Sequence, residues 1–361
     1  KRVTDGGRWN ETTVFCGSLS KKKRQDEAVQ KTLDMLNNSM HNGAVLSLPC
    51  GFGKTVCALA LASVLRRKTF VLVHTQFLAK QWELRCHEFV PDAVVYMWNS
   101  GSEVDDDRDA NFGIGLMQTV HKLPSHFLRN YGVLIIDECH HVPCTTLANC
   151  LPLFNSRYTL GLSATPKRVD GLEKYLFWSI GENSLYVQPE YSNVLLLRIE
   201  YNGGPQKIDT LENTLMNDTH RNHKIRQLLS RISLDKKRVT LVLTLRRQHC
   251  VMLHGLIPGS FLMMGGGQFN MEELQTHSVI ISTFQLVSEG FDMPSLNTLV
   301  MAMPKQDMTQ VIGRITRGSV TDVVPWVVDI VDQHLDEAVR KFERRKTLYR
   351  HLKMVVQRAQ W

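Results

Sequence analysis

The chain has 361 residues, which at about 150 residues per domain suggests two domains, each long enough to bury a core of its own. Its 43% apolar and 22% charged residues, with 23 Gly and 12 Pro, exclude a low-complexity or disordered polymer, and the longest apolar run, Val56 to Leu65, is about half of the roughly 20 residues that cross a bilayer. The excess of 43 Lys+Arg over 35 Asp+Glu, a formal +8, favours a polyanionic partner without naming one.

Eight cysteines form no CxxC pair, a usage that fits reduced thiols better than a disulfide framework. The sequence begins at Lys1 and shows no apolar stretch of the kind that opens a secretory signal. From Leu335 to Trp361 eight basic residues face three acidic ones, so this last segment reads as a basic C-terminal helix, either a solvated face or a phosphate-contacting tail.

In chain order, Ala44–Leu48, Thr69–His74, Ile114–Met117, Val133–Ile136 and Thr159–Leu162 are short apolar runs separated by helix-period segments. That alternation predicts parallel strands covered by helices on both faces. The rhythm lapses after Ile180 through Gly181, Gln188-Pro189 and Gly203-Gly204-Pro205, with one strand-like run, Val194–Tyr201. It resumes with Val239–Thr244, Phe261–Met264, Val279–Thr283, Thr298–Met301 and Trp326–Val331. The expected division is an N-terminal segment 1–19, a first domain 20–185, a linker or insert 186–235, a second domain 236–334 and the basic segment 335–361. No internal repeat is visible, although two similar α/β domains would not require one.

The first strand runs into Pro49-Cys50-Gly51-Phe52-Gly53-Lys54-Thr55 and an apolar helix, the strand–loop–helix context of a phosphate-binding loop. Gly51 and Gly53 let backbone N–H groups converge on phosphate oxygens, Lys54 reaches the β and γ phosphates, and Thr55 suits Mg2+. Leu48 stands where the first Gly of the usual pattern would be. The apolar strand Val133–Ile136 ends in Asp137-Glu138-Cys139-His140. Asp137 suits a Mg2+ ligand and Glu138 a base that polarises the attacking water, so the two motifs together specify nucleoside triphosphate hydrolysis.

From about Gln25 to Arg317 an ordered motif set resembles the superfamily 2 helicases of the DExH type. Val73 to Trp82, Gly115 to Thr119 and Ser163-Ala164-Thr165 are similar to motifs Ia, Ib and III; Val242-Leu243-Thr244 with Arg246 is similar to motif IV, Thr283 with Glu289-Gly290-Phe291-Asp292 to motif V, and Gln310 to Arg317 to motif VI. The string Leu162 to Gly171 resembles the XPB-like branch, closest to the XPB-like helicases of large cytoplasmic DNA viruses, with Arg168-Val169-Asp170 in place of that branch's Arg-Glu-Asp.

The resemblance implies an α/β fold of two tandem RecA-like domains with parallel sheets and ATP in the cleft between them. It implies Lys54, Asp137, Glu138, Arg314, Arg317 and Gln310 as catalytic. Gln25, Pro49, Cys50, Gly51, Phe52, Gly53, Lys54, Thr55, Gly290 and Asp292 would bind the nucleotide, and Thr55 and Asp137 would hold Mg2+. His140, Ser163 and Thr165 would couple hydrolysis to movement. Nucleic acid would meet His74, Thr75, Gln76, Gln118, Thr119, Thr244, Arg246 and Thr283, short polar or basic residues at strand ends that can also be plain caps. Trp82 and Trp98 could stack on bases, yet Trp82 sits at helical spacing from Phe77 and Leu78 and reads as core.

The implied function is ATP-dependent DNA unwinding with 3′ to 5′ movement in viral transcription or replication. The implied setting is intracellular, in virion or host cytoplasm, with a monomer that has no membrane partner and works beside transcription or replication proteins. A duplex translocase without strand separation and an RNA helicase remain open as alternatives.

Overall fold

The computed structural model describes residues 6–9, 12–21, 24–38, 42–49, 51–98, 110–141, 144–164, 173–188, 193–205, 209–265, 271–288, 293, 295–316 and 323–361. The chain forms two units, Lys1–Gln188 and Pro189–Trp361. The first carries α1 (Gln25–Asn38), β1 (Gly43–Ser47), α2 (Lys54–Leu65), β2 (Thr69–Val73), α3 (Gln76–Phe89), β3 (Val95–Trp98), β4 (Phe112–Leu116), α4 (Ser125–Leu128), β5 (Val133–Ile136), α5 (Cys144–Phe154), β6 (Tyr158–Ser163), α6 (Glu173–Ile180) and β7 (Asn183–Tyr186). The second carries β8 (Leu195–Tyr201), α7 (Leu211–Asn217), α8 (Thr219–Ile232), β9 (Thr240–Thr244), α9 (Arg247–Leu256), β10 (Phe261–Leu262), α10 (Met271–Gln275), β11 (Val279–Thr283), α11 (Phe284–Ser288), β12 (Thr298–Met301), α12 (Thr309–Ile315), β13 (Trp326–Asp332), α13 (Asp336–His351) and β14 (Val355–Ala359).

Strands such as Ala44-Val45-Leu46, Phe70-Val71-Leu72-Val73 and Val133-Leu134-Ile135-Ile136 have no polar alternation because both of their faces are buried. Leu46, Val71, Val73 and Ile135 pack with α1, α2 and α3, while Val45, Phe70, Leu72 and Ile136 pack with α4, α5 and α6 on the opposite face. The second unit repeats this layering, with Leu196, Leu241 and Leu243 on one face and Ile199, Val242 and Val300 on the other. Every pairing within the described strands is parallel.

The first sheet runs β3-β4-β2-β5-β6-β1-β7 and the second β10-β11-β9-β12-β13-β8-β14. Numbered from its own first strand, each sheet has the same order, 3-4-2-5-6-1-7. The two units are therefore two copies of one topology, although the sequence shows no repeat. Among the described residues no helix is long and apolar enough to cross a membrane.

Three boundaries differ from expectation. Residues 186–235, expected as linker or insert, contain β8, which pairs with both β13 and β14, so this segment supplies a strand inside the second sheet. The N-terminal segment is packed onto the first unit: Trp9 lies edge-on to Phe112 at 5.0 Å, and its backbone N–H donates to the Arg66 carbonyl. The C-terminal segment is α13 followed by an edge strand, β14, where only a helix was expected.

The basic helix is also less free than its composition implies. Arg345 is fully buried, its guanidinium donating to both Asp329 oxygens at 2.9 and 2.8 Å and to the Lys305 carbonyl at 3.1 Å. Tyr349 donates to the same carboxylate at 2.8 Å, and its own hydroxyl is pushed well above its ordinary range, first by burial and then by Asp329. Removing one partner of a buried pair strands the other charge. Arg345→Ala should therefore lower the stability of the second unit by about 3 to 5 kcal/mol. Arg340→Ala, at an exposed position of the same helix, should change it by less than about 0.5 kcal/mol, both read from urea midpoints.

Candidate nucleotide site and polymer-facing edge

All strands of a unit run in parallel, so their C-terminal ends share one edge, the usual place for ligands in open α/β sheets. In the first unit the phosphate loop follows β1, Ser163 ends β6, and Asp137 to His140 follow β5. Because the sheet order is β5-β6-β1, these three groups stand side by side.

The loop folds as its glycines require. Gly51 and Gly53 take positive φ angles of 79° and 101°, and Gly53 in the left-handed region caps the start of α2. A side chain at Gly53 would run into the Gln25 amide. Leu48, in place of the expected first glycine, is accommodated as an extension of the strand: its N–H donates to the Ser163 carbonyl at 3.0 Å and its side chain is fully buried. Lys54 Nζ approaches the Leu48 carbonyl at 3.4 Å. The uncapped N–H groups at the start of α2 form a cradle for phosphate oxygens.

Gln25 is buried at 6% exposure, its Oε1 accepting from the Ser20 N–H at 2.7 Å and its Nε2 donating to the Phe52 carbonyl. This amide therefore ties the phosphate loop to the segment before α1.

Asp137 is 7% exposed. Its Oδ1 accepts from the Glu138 N–H at 2.9 Å and its Oδ2 from the Trp82 indole at 2.8 Å. Burial, and then the neighbouring Glu138 charge, push its carboxyl up to about 6, against the pull of Trp82 and Lys54. Glu138 itself has φ 46°, a left-handed conformation uncommon outside glycine and typical of strained functional positions. His140 Nδ1 lies 3.5 Å from Glu138 Oε2 and 2.9 Å from Ser163 Oγ, which ties the acidic turn to the end of β6. Hard oxygen donors, the Thr55 hydroxyl and the Asp137 carboxylate, suit Mg2+, and the N–H cradle suits a phosphate chain.

The polymer candidates occupy the other half of the same edge. His74 and Thr75 follow β2, Gln118 and Thr119 follow β4, and these strands are neighbours. Gln118 Nε2 donates to the His74 carbonyl at 3.0 Å, while Gln76 is exposed. Thr75 is chiefly a cap, its hydroxyl accepting from the Leu78 N–H at 3.2 Å at the start of α3. Thr119 donates to the Leu116 carbonyl at 3.3 Å.

In the second unit Arg246 follows β9 and is exposed, and Thr283 ends the adjacent β11 and is half-buried. Strands β9 and β11 hold the same places in their sheet as β2 and β4 in the first. Thr244 corrects the sequence reading: it is fully buried, with its Oγ1 2.9 Å from Nδ1 of His249, so its side chain is not presented to a polymer. His249, whose Nε2 lies 3.0 Å from Asn222 Oδ1, is driven down to about 3 by burial and so is kept neutral. Arg314 is buried on α12. Cys50, Thr165, Gly290, Asp292 and Arg317, and the side chain of Gln310, lie outside the described residues.

Residues 18–168 match the family model described as type III restriction enzyme, res subunit. A protein of Acanthamoeba polyphaga mimivirus named as an ATP-dependent RNA helicase is 25% identical over 352 residues, 88% of this chain and 65% of that protein. A protein of Invertebrate iridescent virus 6 named as a helicase is 26% identical over 377 residues, 94% of this chain and 83% of that protein. The chain thus spans just under two thirds of the mimivirus relative's length. Among solved structures, S. cerevisiae Dbp5 bound to RNA and ADP BeF3 has the same fold of two RecA-like domains, with a TM-score of 0.66 over 94% of this chain and 92% of that chain at 14% identity.

The helicase motifs marked Lys54, Asp137 and Glu138; sequence reasoning placed Trp82 in the core and missed its contact with Asp137. Nothing in the local pattern around either residue signals a pair 55 positions apart.

The raised Asp137 carboxyl has a measurable consequence. Between about pH 4 and 6 the folded chain holds a proton there that the unfolded chain has released, so stability at this site falls as pH rises through that window. Asp137→Asn should therefore stabilise the unliganded protein at pH 7, on the order of 2 kcal/mol, with the gain shrinking towards pH 4 in thermal melts.

Proposed function

We propose that the chain is an ATP-driven helicase motor acting on DNA, of the XPB-like DExH branch, moving 3′ to 5′ in viral transcription or replication. The observation that carries the ATPase part is the arrangement at the neighbouring ends of β1, β6 and β5, which bring Lys54 and Thr55, Ser163, and Asp137 with Glu138 to one stretch of the sheet edge. Mg2+, when bound, would neutralise phosphate charge. Lys54 and the N–H groups at the start of α2 would hold the phosphates, and Thr55 and Asp137 would hold the metal. Glu138, oriented by His140, would take a proton from the attacking water. Arg314, Arg317 and Gln310 are proposed as the groups that stabilise the transferring phosphoryl and sense it, and Gly290 and Asp292 as further nucleotide contacts, on their motif positions.

DNA as the polymer is supported by the XPB-like motif string and by a family model drawn from a restriction enzyme. RNA is the second reading, favoured by the name of the mimivirus relative. In both, His74, Gln76, Gln118, Thr119, Arg246 and Thr283 grip the backbone without reading sequence.

Steady-state ATPase assays with no polymer, single-stranded DNA, duplex DNA and RNA, beside unwinding of a 3′-tailed duplex, test this. The expected result is stimulation by DNA with strand separation; stimulation by RNA alone would replace DNA, and stimulation by duplex without separation would make the chain a translocase. Glu138→Gln should keep ATP affinity and lose turnover by about 10²- to 10³-fold, whereas Lys54→Ala should lose both. Arg246→Ala should weaken binding to all sequences alike and reduce the log–log salt slope of affinity by about one.

A further inference from the structure

Three tryptophans of the first unit are buried: Trp9, Trp82 and Trp98. The indole N–H groups of Trp9 and Trp98 have no hydrogen-bond partner, and both rings act as packing groups against Phe112 and Phe127. Trp82 differs. It is 2% exposed, and its N–H, the only polar group it has, is spent on Oδ2 of Asp137. Its donor is thus satisfied by the carboxylate that is the candidate metal ligand, where the other two buried indoles make no such bond.

The placement of α3 adds a second aspect. The helix starts at Thr75, at the end of β2 in the polymer-facing half of the edge, and buries Leu78, Ala79, Trp82 and Cys86 along one face. Strand β5, which is followed directly by Asp137, is the other neighbour of β2. One rigid element therefore begins beside His74 and Thr75 and ends its reach on Asp137, nearly two turns further along. The carboxylate is fixed at both oxygens, by its own turn through the Glu138 N–H and by α3 through Trp82. Each oxygen keeps a lone-pair direction for the metal.

We propose that Trp82 is the positioning residue that holds Asp137 in its metal-binding orientation and links it to the helix starting at the polymer-facing end of β2. This rests on the ATPase reading above. Displacement of the α3 start by a bound strand would be felt at Asp137 through one hydrogen bond, which gives polymer-stimulated hydrolysis a physical route within the first unit.

The test uses the full chain with Trp82→Phe and, to keep the shape unchanged, a benzothienyl-alanine at position 82 that replaces the N–H by sulfur. Affinity for a fluorescent ADP analogue is measured with and without Mg2+, and ATPase with and without single-stranded DNA or RNA. Both variants should keep the Mg2+-free nucleotide affinity, lose about tenfold in the gain that Mg2+ confers, the equivalent of one hydrogen bond to a charged group, and lose most of the polymer stimulation. In an Asp137→Asn background they should add nothing, because the partner is already altered. Wild-type behaviour of the benzothienyl variant, or an equal loss in the Asp137→Asn background, would overturn the link and leave the ATPase reading standing. A wild-type chain that binds no nucleotide would overturn both.

Discussion

Burial of both faces of a parallel sheet is the constraint on which the rest of this protein depends. Helices cover both faces of each sheet, so polar chemistry has only the strand ends to occupy, and parallel direction puts one kind of end on one edge. The phosphate loop, the acidic turn and the polymer candidates of the first unit are all loops leaving that edge. Strand order then divides it: β1, β6 and β5 carry the groups suited to a nucleotide, while β2 and β4 carry the groups suited to a phosphodiester backbone.

Within that frame the site works by desolvation. A carboxylate in water would be ionised far below neutrality, but Asp137 is nearly enclosed and stands next to a second acid, which makes its charge costly until a cation arrives. The left-handed turn at Glu138 keeps the two acids adjacent, while the hydrogen bond from Trp82 offsets part of that cost. Stability is given up at this turn and recovered in the surrounding core, the usual trade at a functional site.

The central strands were legible because they are continuous apolar runs, and the phosphate loop because two glycines and a lysine stand between such a run and an apolar helix. The strands β7 and β14 escaped for one common reason. Both are edge strands: residues of β7 alternate half-buried and exposed, and those of β14 are almost all exposed, so neither shows a buried apolar run. Arg345 was counted as part of a basic face although it is a core residue. A buried Arg and a solvated Arg look alike until the partner, here Asp329, is known.

The sequence alone determined the class of fold, the order of the motifs and the identity of the phosphate loop and acidic turn, since each depends on residues close together in the chain. Tertiary structure decided that both units share one strand order, that Thr244 is buried against His249, that Arg345 closes on Asp329, and that Trp82 reaches Asp137. Those are contacts between residues far apart in sequence, and only the packing of helices onto a sheet brings them within a hydrogen bond of each other.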